Sequence, residues 1–137
     1  MRGKGFWLSA VVVFVALAIL DYVIHSVLLR GDYAATGLVR TDVSVPVILL
    51  GELLFAVLFT WIYTKGYEPA KPGLGQGVRY GIAIGLLYWG AGTLIHLGVI
   101  PVGAGLALKW IVFGVVEMAI LGAIVGQLYR PAASAAA

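Results

Sequence analysis

The sequence predicts an all-α protein, a bundle of four transmembrane helices, and three observations lead to this prediction. Hydrophobic residues make up 62% of the chain and charged residues only 11%, whereas a typical soluble domain has about 45–50% apolar and about 25% charged residues. The apolar residues form four long runs, each of which can cross a bilayer as a helix. No sustained period-two alternation indicates strands. Lipid must therefore be the solvent for most of the chain.

We predict spans at residues 6–29, 44–64, 78–100 and 106–129, within a single domain of residues 1–130. Pro46 lies in the first turn of the second span, where its missing N–H is harmless, and Pro101 closes the third. The polar connection at residues 30–43 has room for a short interfacial helix. Residues 65–77, rich in Gly and Pro, are predicted to be a surface loop, and residues 131–137 a disordered tail.

The ends of the spans predict the topology. Arg2 and Lys4 before an apolar run resemble a secretory signal, but the run continues for about 24 residues, so we expect a retained span. One side of the predicted bundle collects six basic residues and the other three: Arg2, Lys4, Lys65, Lys71, Arg79 and Arg130 against Arg30, Arg40 and Lys109. Positive charge favours the cytoplasm, so both termini are predicted to lie there.

Two patterns concern how the spans pack. Glycines recur every four residues in the third span, at Gly77, Gly81 and Gly85. The fourth span has Gly114, Met118, Gly122 and Gly126 at the same spacing. Such faces allow close helix contact in lipid, within one chain or between two, so a homodimer is open. A faint repeat also pairs Ile24-His25 and Glu52 with Ile95-His96 and Glu117. It would fit two pseudo-repeated helical hairpins related by an axis along the membrane normal.

The four spans bring ionisable side chains into lipid: Asp21, His25, Glu52, His96 and Glu117. Each such group costs about 2.5–3.5 kcal/mol at the centre of a span on insertion scales. Asp21 and His25 lie four residues apart, on one helix face. Counting residues from the predicted helix ends places all five in the same half of the membrane. We therefore predict one polar site, with Tyr22, Tyr88 and Thr93 as further hydrogen-bonding groups.

Several functions fit these residues. Imidazole and carboxylate suit a zinc, iron or manganese site, in which Asp21 is a ligand or orients His25. Haem held by the two histidines is an alternative. A third hypothesis needs no cofactor, with the side chains forming a proton relay or a pocket for a small polar solute. A fourth makes the chain an accessory subunit of a larger membrane complex, with each polar residue satisfied separately.

Other classes of function find less support in the residues. The sequence shows no nucleophile–base pair that would indicate an enzyme. The expected partner is the lipid bilayer, not nucleic acid. Four stretches resemble a group of small, uncharacterised four-span bacterial integral membrane proteins: Leu20-Asp21-Tyr22-x-x-His25, Gly51-Glu52-Leu53, Lys65-Gly66-Tyr67-Glu68 and Leu106-Ala107-Leu108-Lys109-Trp110. The resemblance covers most of the chain before the alanine tail. It implies a bacterial inner-membrane protein and no particular activity.

Overall fold

The computed structural model describes residues 3–131, and this part of the chain is helical without strands, which confirms the predicted fold class. Two of the long helices contain a π-helical segment, in which the backbone hydrogen bonds skip one extra residue. The elements are α1 (Lys4–Asp21) continuing into a π-helix (Tyr22–Leu28), α2 (Arg30–Thr36), α3 (Val45–Lys65), α4 (Gly73–Gly85) continuing through a π-helix (Leu86–Ala91) into α5 (Gly92–Leu97), and α6 (Ala104–Leu128).

Four of these helical stretches are long and apolar enough to cross a membrane: Lys4–Leu28, Val45–Lys65, Gly73–Leu97 and Ala104–Leu128. The protein is therefore a multi-pass membrane protein. We call the bundle end with Lys4 and Leu128 the terminal end, and the opposite end, where α2 lies, the α2 end. The predicted disordered tail, residues 131–137, lies outside the described residues except for Pro131.

The third span begins at Gly73, so the prediction that residues 73–77 belong to a surface loop was wrong. Glycine weakens an isolated helix by about 1 kcal/mol relative to alanine, but here it permits backbone contact. A Cβ at Gly77 would lie 2.1 Å from the carbonyl oxygen of Gly122, and one at Gly81 would lie 2.0 Å from that of Met118. The predicted close glycine contact thus forms within one chain, between α4 and α6. These faces are not available to a second copy.

Buried side chains form two apolar cores, one toward each end of the bundle. The core toward the terminal end consists of Val13, Leu17, Ala56, Phe59, Tyr63, Met118, Leu121 and Val125. The core toward the α2 end consists of Ile24, Leu29, Val102, Leu106 and Ala107, with Tyr33 and Trp110 packed against it. Four of the five ionisable residues of the spans, all except His96, come together in the space between the two cores.

Both odd-numbered spans contain a π-helical segment, which bears on the predicted repeat of two hairpins. The first segment includes His25, whereas the second ends at Ala91, five residues before His96. The two histidines therefore occupy different positions relative to the irregular turn. The repeat stays a prediction.

Candidate functional site

A cavity of about 130 Å³ lies inside the bundle and is bordered by all four spans. Three carboxyl groups face it from three helices, Asp21 at the end of α1, Glu52 in α3 and Glu117 in α6. Aromatic rings and small or apolar side chains complete its wall: Leu17, Gly51, Phe55, Tyr88, Trp89 and Met118. The wall contains no lysine or arginine in the described structure, so the carboxyl groups face one another without a basic counter-charge.

Glu117 is the most deeply buried of the three acids. Its side chain is 1% exposed, and neither carboxyl oxygen has a hydrogen-bond partner within residues 3–131. Glu52 is 8% exposed, and its Oε2 also lacks a partner in the described part of the chain. An unpaired charge in such surroundings costs several kcal/mol, so these buried carboxyls require a proton or a cation.

Asp21 and Glu52 border the same cavity from α1 and α3, two helices that pack against each other. An ionised carboxylate only accepts hydrogen bonds, so two ionised carboxylates that share a cavity repel. A proton on one of the two removes this repulsion.

His25 connects this pair to the α2 end. Its Nε2 lies 3.4 Å from Asp21 Oδ1, and its Nδ1 lies 2.5 Å from the hydroxyl oxygen of Tyr33. The Trp110 indole N–H, which can only donate, donates to the same hydroxyl oxygen at 2.8 Å. Tyr33 can then donate its own proton to Nδ1, which leaves the imidazole proton on Nε2, facing Asp21. A single tautomer therefore satisfies every contact.

The π-helical turns lie at this site, as such turns often do in proteins. His25 belongs to the first π-helix and Trp89 to the second, and their rings stack with centroids 5.5 Å apart and planes inclined by 26°. Trp89 in turn covers Gly114, where a Cβ would lie 2.1 Å from the indole Cγ. Because Gly114 has no side chain, Trp89 can lie against α6 and stack on the imidazole of His25.

Tyr33 is a site residue that the sequence analysis missed. It belongs to α2, the short helix that residues 30–43 had room for. Lys109 of α6 holds this helix in place by donating to both carboxylate oxygens of Asp32, at 2.7 and 2.9 Å. Burial raises the pKa of the Tyr33 hydroxyl to about 12. The only signal for this role in the sequence was the presence of an aromatic residue in the polar connection that follows the span containing His25.

Three of the remaining predicted site residues lie away from the cavity. His96 and Tyr22 are exposed on the outside of the bundle, whereas Thr93 is buried but does not border the cavity. Tyr88 does border it. A second, largely apolar groove of about 720 Å³ opens toward the lipid side and includes His96, Thr93 and one side of His25. The structure therefore brings Asp21, His25, Glu52 and Glu117 into one connected group and leaves His96 apart.

This arrangement gives the metal and haem hypotheses no support. Residues 3–131 contain no group of three or more His, Asp or Glu side chains placed to hold a metal ion. Both ring nitrogens of His25 already face protein groups, Tyr33 and Asp21, so neither is directed at an open ligand position.

Comparisons with known proteins add no further assignment. No protein-family model, curated protein or solved structure matches the chain. The resemblance to four-span bacterial membrane proteins stays a prediction.

Proposed function

We propose that this protein is a proton-relay membrane protein, which moves protons between its α2 end and the buried carboxyl cavity. One observation carries the proposal: polar contacts run from Tyr33 through His25 to Asp21, which borders the same cavity as Glu52. Glu117 borders the same cavity as Asp21 and Glu52 and can take the proton at the end of the series. Every member can both accept and release a proton, as a relay needs.

The direction of the series supports access from the α2 end. Tyr33 is half-buried beneath α2, near the exposed Lys109–Asp32 ion pair, so water can reach its neighbourhood. When His25 Nε2–H passes its proton to Asp21, Nδ1 can take the Tyr33 proton, and the phenol is recharged from water. The imidazole is suited to this exchange because its ordinary pKa lies near neutrality.

The other side of the cavity is closed by packing. Val13, Leu121 and Val125 are fully buried there, in the core toward the terminal end. No continuous series of hydrogen-bonding side chains crosses this core in the described structure. The relay therefore delivers protons to a cavity and does not by itself form a channel through the membrane.

The charge distribution supports the orientation of this relay. Among the described residues, basic side chains are more numerous toward the terminal end than toward the α2 end: Lys4, Lys65, Lys71, Arg79 and Arg130 against Arg30, Arg40 and Lys109. This excess orients the α2 end outward and the terminal end toward the cytoplasm. The resemblance stated above supports a bacterial inner membrane. In that location the relay would take protons from the outer face.

Infrared spectroscopy of the purified protein after a rapid drop in pH tests the relay. We expect a carbonyl band of protonated buried carboxyl to appear in the wild type and to shrink in Glu117→Gln. We expect Tyr33→Phe and His25→Ala to slow its appearance by at least about tenfold, since each removes a transfer step. Tyr22→Phe and His96→Ala are matched controls on the outer surface and should leave the rate unchanged. Equal rates in wild type and His25→Ala would refute the relay.

A further inference from the structure

We propose that the cavity bordered by Asp21, Glu52 and Glu117 binds a small organic ammonium ion, which enters in exchange for a proton. This inference rests on the proposed relay and names the solute that the relay serves. The starting observation is Glu117, which is 1% exposed and borders the cavity with both oxygens unpartnered among the described residues. A buried, unpaired carboxylate needs a positive charge nearby, and no residue that borders the cavity supplies one.

The geometry favours an organic cation over a metal ion. A metal ion would need three or more ligands gathered around one point, and residues 3–131 contain no such group. The three carboxyls nevertheless border one cavity, and an ammonium ion, whose N–H donors point in different directions, needs no such common point. Charge-assisted hydrogen bonds of this kind, at about 2.7–2.9 Å, are the strong ones.

The aromatic wall supports the same class of ligand. Phe55, Tyr88 and Trp89 border the same cavity, and Tyr88 packs edge-on against both of its aromatic neighbours. Aromatic faces attract alkylated ammonium ions, by about 2 kcal/mol or more where water is excluded. A volume of about 130 Å³ limits the ligand to a few heavy atoms. Methylammonium is therefore a suitable probe.

The exchange balances in charge. The titratable groups that face the cavity or its entrance come from every packed element: Asp21 and His25 from the first span, Glu52 from α3, Tyr88 from the third span, Glu117 from α6 and Tyr33 from α2. When one ammonium ion binds, one proton leaves a carboxyl group and exits through Asp21, His25 and Tyr33. The cavity then keeps the net charge that it had with the proton.

Two measurements test the proposal, with sodium as reference ion at equal ionic strength. The first is calorimetric titration of the purified protein with methylammonium chloride, for which we expect saturable binding with proton release. Glu117→Gln should weaken it by at least about tenfold, whereas Glu68→Gln, an exposed glutamate outside the cavity, should not change it. Methanol, a neutral molecule of similar size, should not bind.

The second measurement uses wild-type protein only, so it does not depend on a variant that folds. A lipid-soluble carbodiimide activates protonated buried carboxyls, and mass spectrometry counts all modified Glu117, both the carbodiimide adduct and the methylamide that methylamine forms from the activated carboxyl. Methylammonium should slow modification of Glu117 more than sodium does, and equal protection by the two ions would overturn the proposal, as would absent binding in the titration. His25→Ala separates the two ideas: it should abolish rapid proton delivery but keep methylammonium binding. If proton delivery is slowed but methylammonium does not bind, only the cation site is refuted. If methylammonium binds but the rate of proton delivery is unchanged, only the relay is refuted.

Discussion

Lys109 and Asp32, 77 positions apart in the sequence, form an ion pair in which the ammonium group lies 2.7 and 2.9 Å from the two carboxylate oxygens. The pair joins α6 to α2, the helix that carries Tyr33 to His25. Both side chains are partly exposed, 49% for Lys109 and 28% for Asp32, so solvent screens the attraction. Its role is then to position α2, and it contributes little to global stability.

Asp32→Asn tests this role. We expect the free energy of unfolding to fall by less than about 1 kcal/mol, the usual range for exposed pairs, while amide hydrogen exchange across residues 30–36 becomes faster. Asp42→Asn is the matched control, because Asp42 pairs only with its neighbour Arg40 in the described structure. Exchanging the two charges, Asp32→Lys with Lys109→Asp, should restore slow exchange. Unchanged exchange in Asp32→Asn would show that the pair does not hold α2.

Tyr33 gives a prediction in alkaline solution. Its pKa rises from 10.0 to about 12 in the folded protein, chiefly through burial. The unfolded chain therefore loses this proton first, and the stability that burial of the neutral phenol provides is complete below about pH 10 and is lost as the pH rises to about 12. Tyr33→Phe should make stability decline less steeply across this interval.

The measurement compares unfolding at several pH values and phenolate absorbance in wild type, Tyr33→Phe and Tyr22→Phe. Tyr22 is 65% exposed and serves as the matched control. We expect the difference spectrum between wild type and Tyr33→Phe to titrate near pH 12. A titration of this residue near pH 10 would contradict the burial of its hydroxyl beneath α2.

The contact between α4 and α6 predicts a strong response to a single methyl group. A Cβ at Gly122 would lie 2.1 Å from the carbonyl oxygen of Gly77, and the two backbones would have to separate. Gly122→Ala should therefore lower the free energy of unfolding by about 1–3 kcal/mol. Gly92→Ala is the control, since nothing lies within 4 Å of its added Cβ, and it should be neutral or stabilising by up to about 1 kcal/mol. Denaturant unfolding in a fixed detergent measures both, and equal effects would argue against the close contact.

Much of the fold could be predicted from the sequence because lipid leaves few options. An apolar run in a bilayer must satisfy its backbone hydrogen bonds internally, which makes each run a helix. Glu52 and Glu117 could be placed inside the bundle for a similar reason, since a carboxyl group facing acyl chains is costly. The start of α4 could not be predicted, because the glycines at residues 73–77 become helical only through contact with α6.

The candidate site shows where the sequence reaches its limit. Length, composition and the position of each ionisable residue determined four spans and the approximate depth of Asp21, His25, Glu52, His96 and Glu117. Residue counting gives depth along a helix but not the direction in which a side chain points. The π-helical turn at Leu86–Ala91 rotates everything after it relative to a continuous α-helix, and His96 lies outside the bundle. Only the tertiary structure decided that Tyr33, brought back over the bundle by α2, would complete the series that His96 was expected to join.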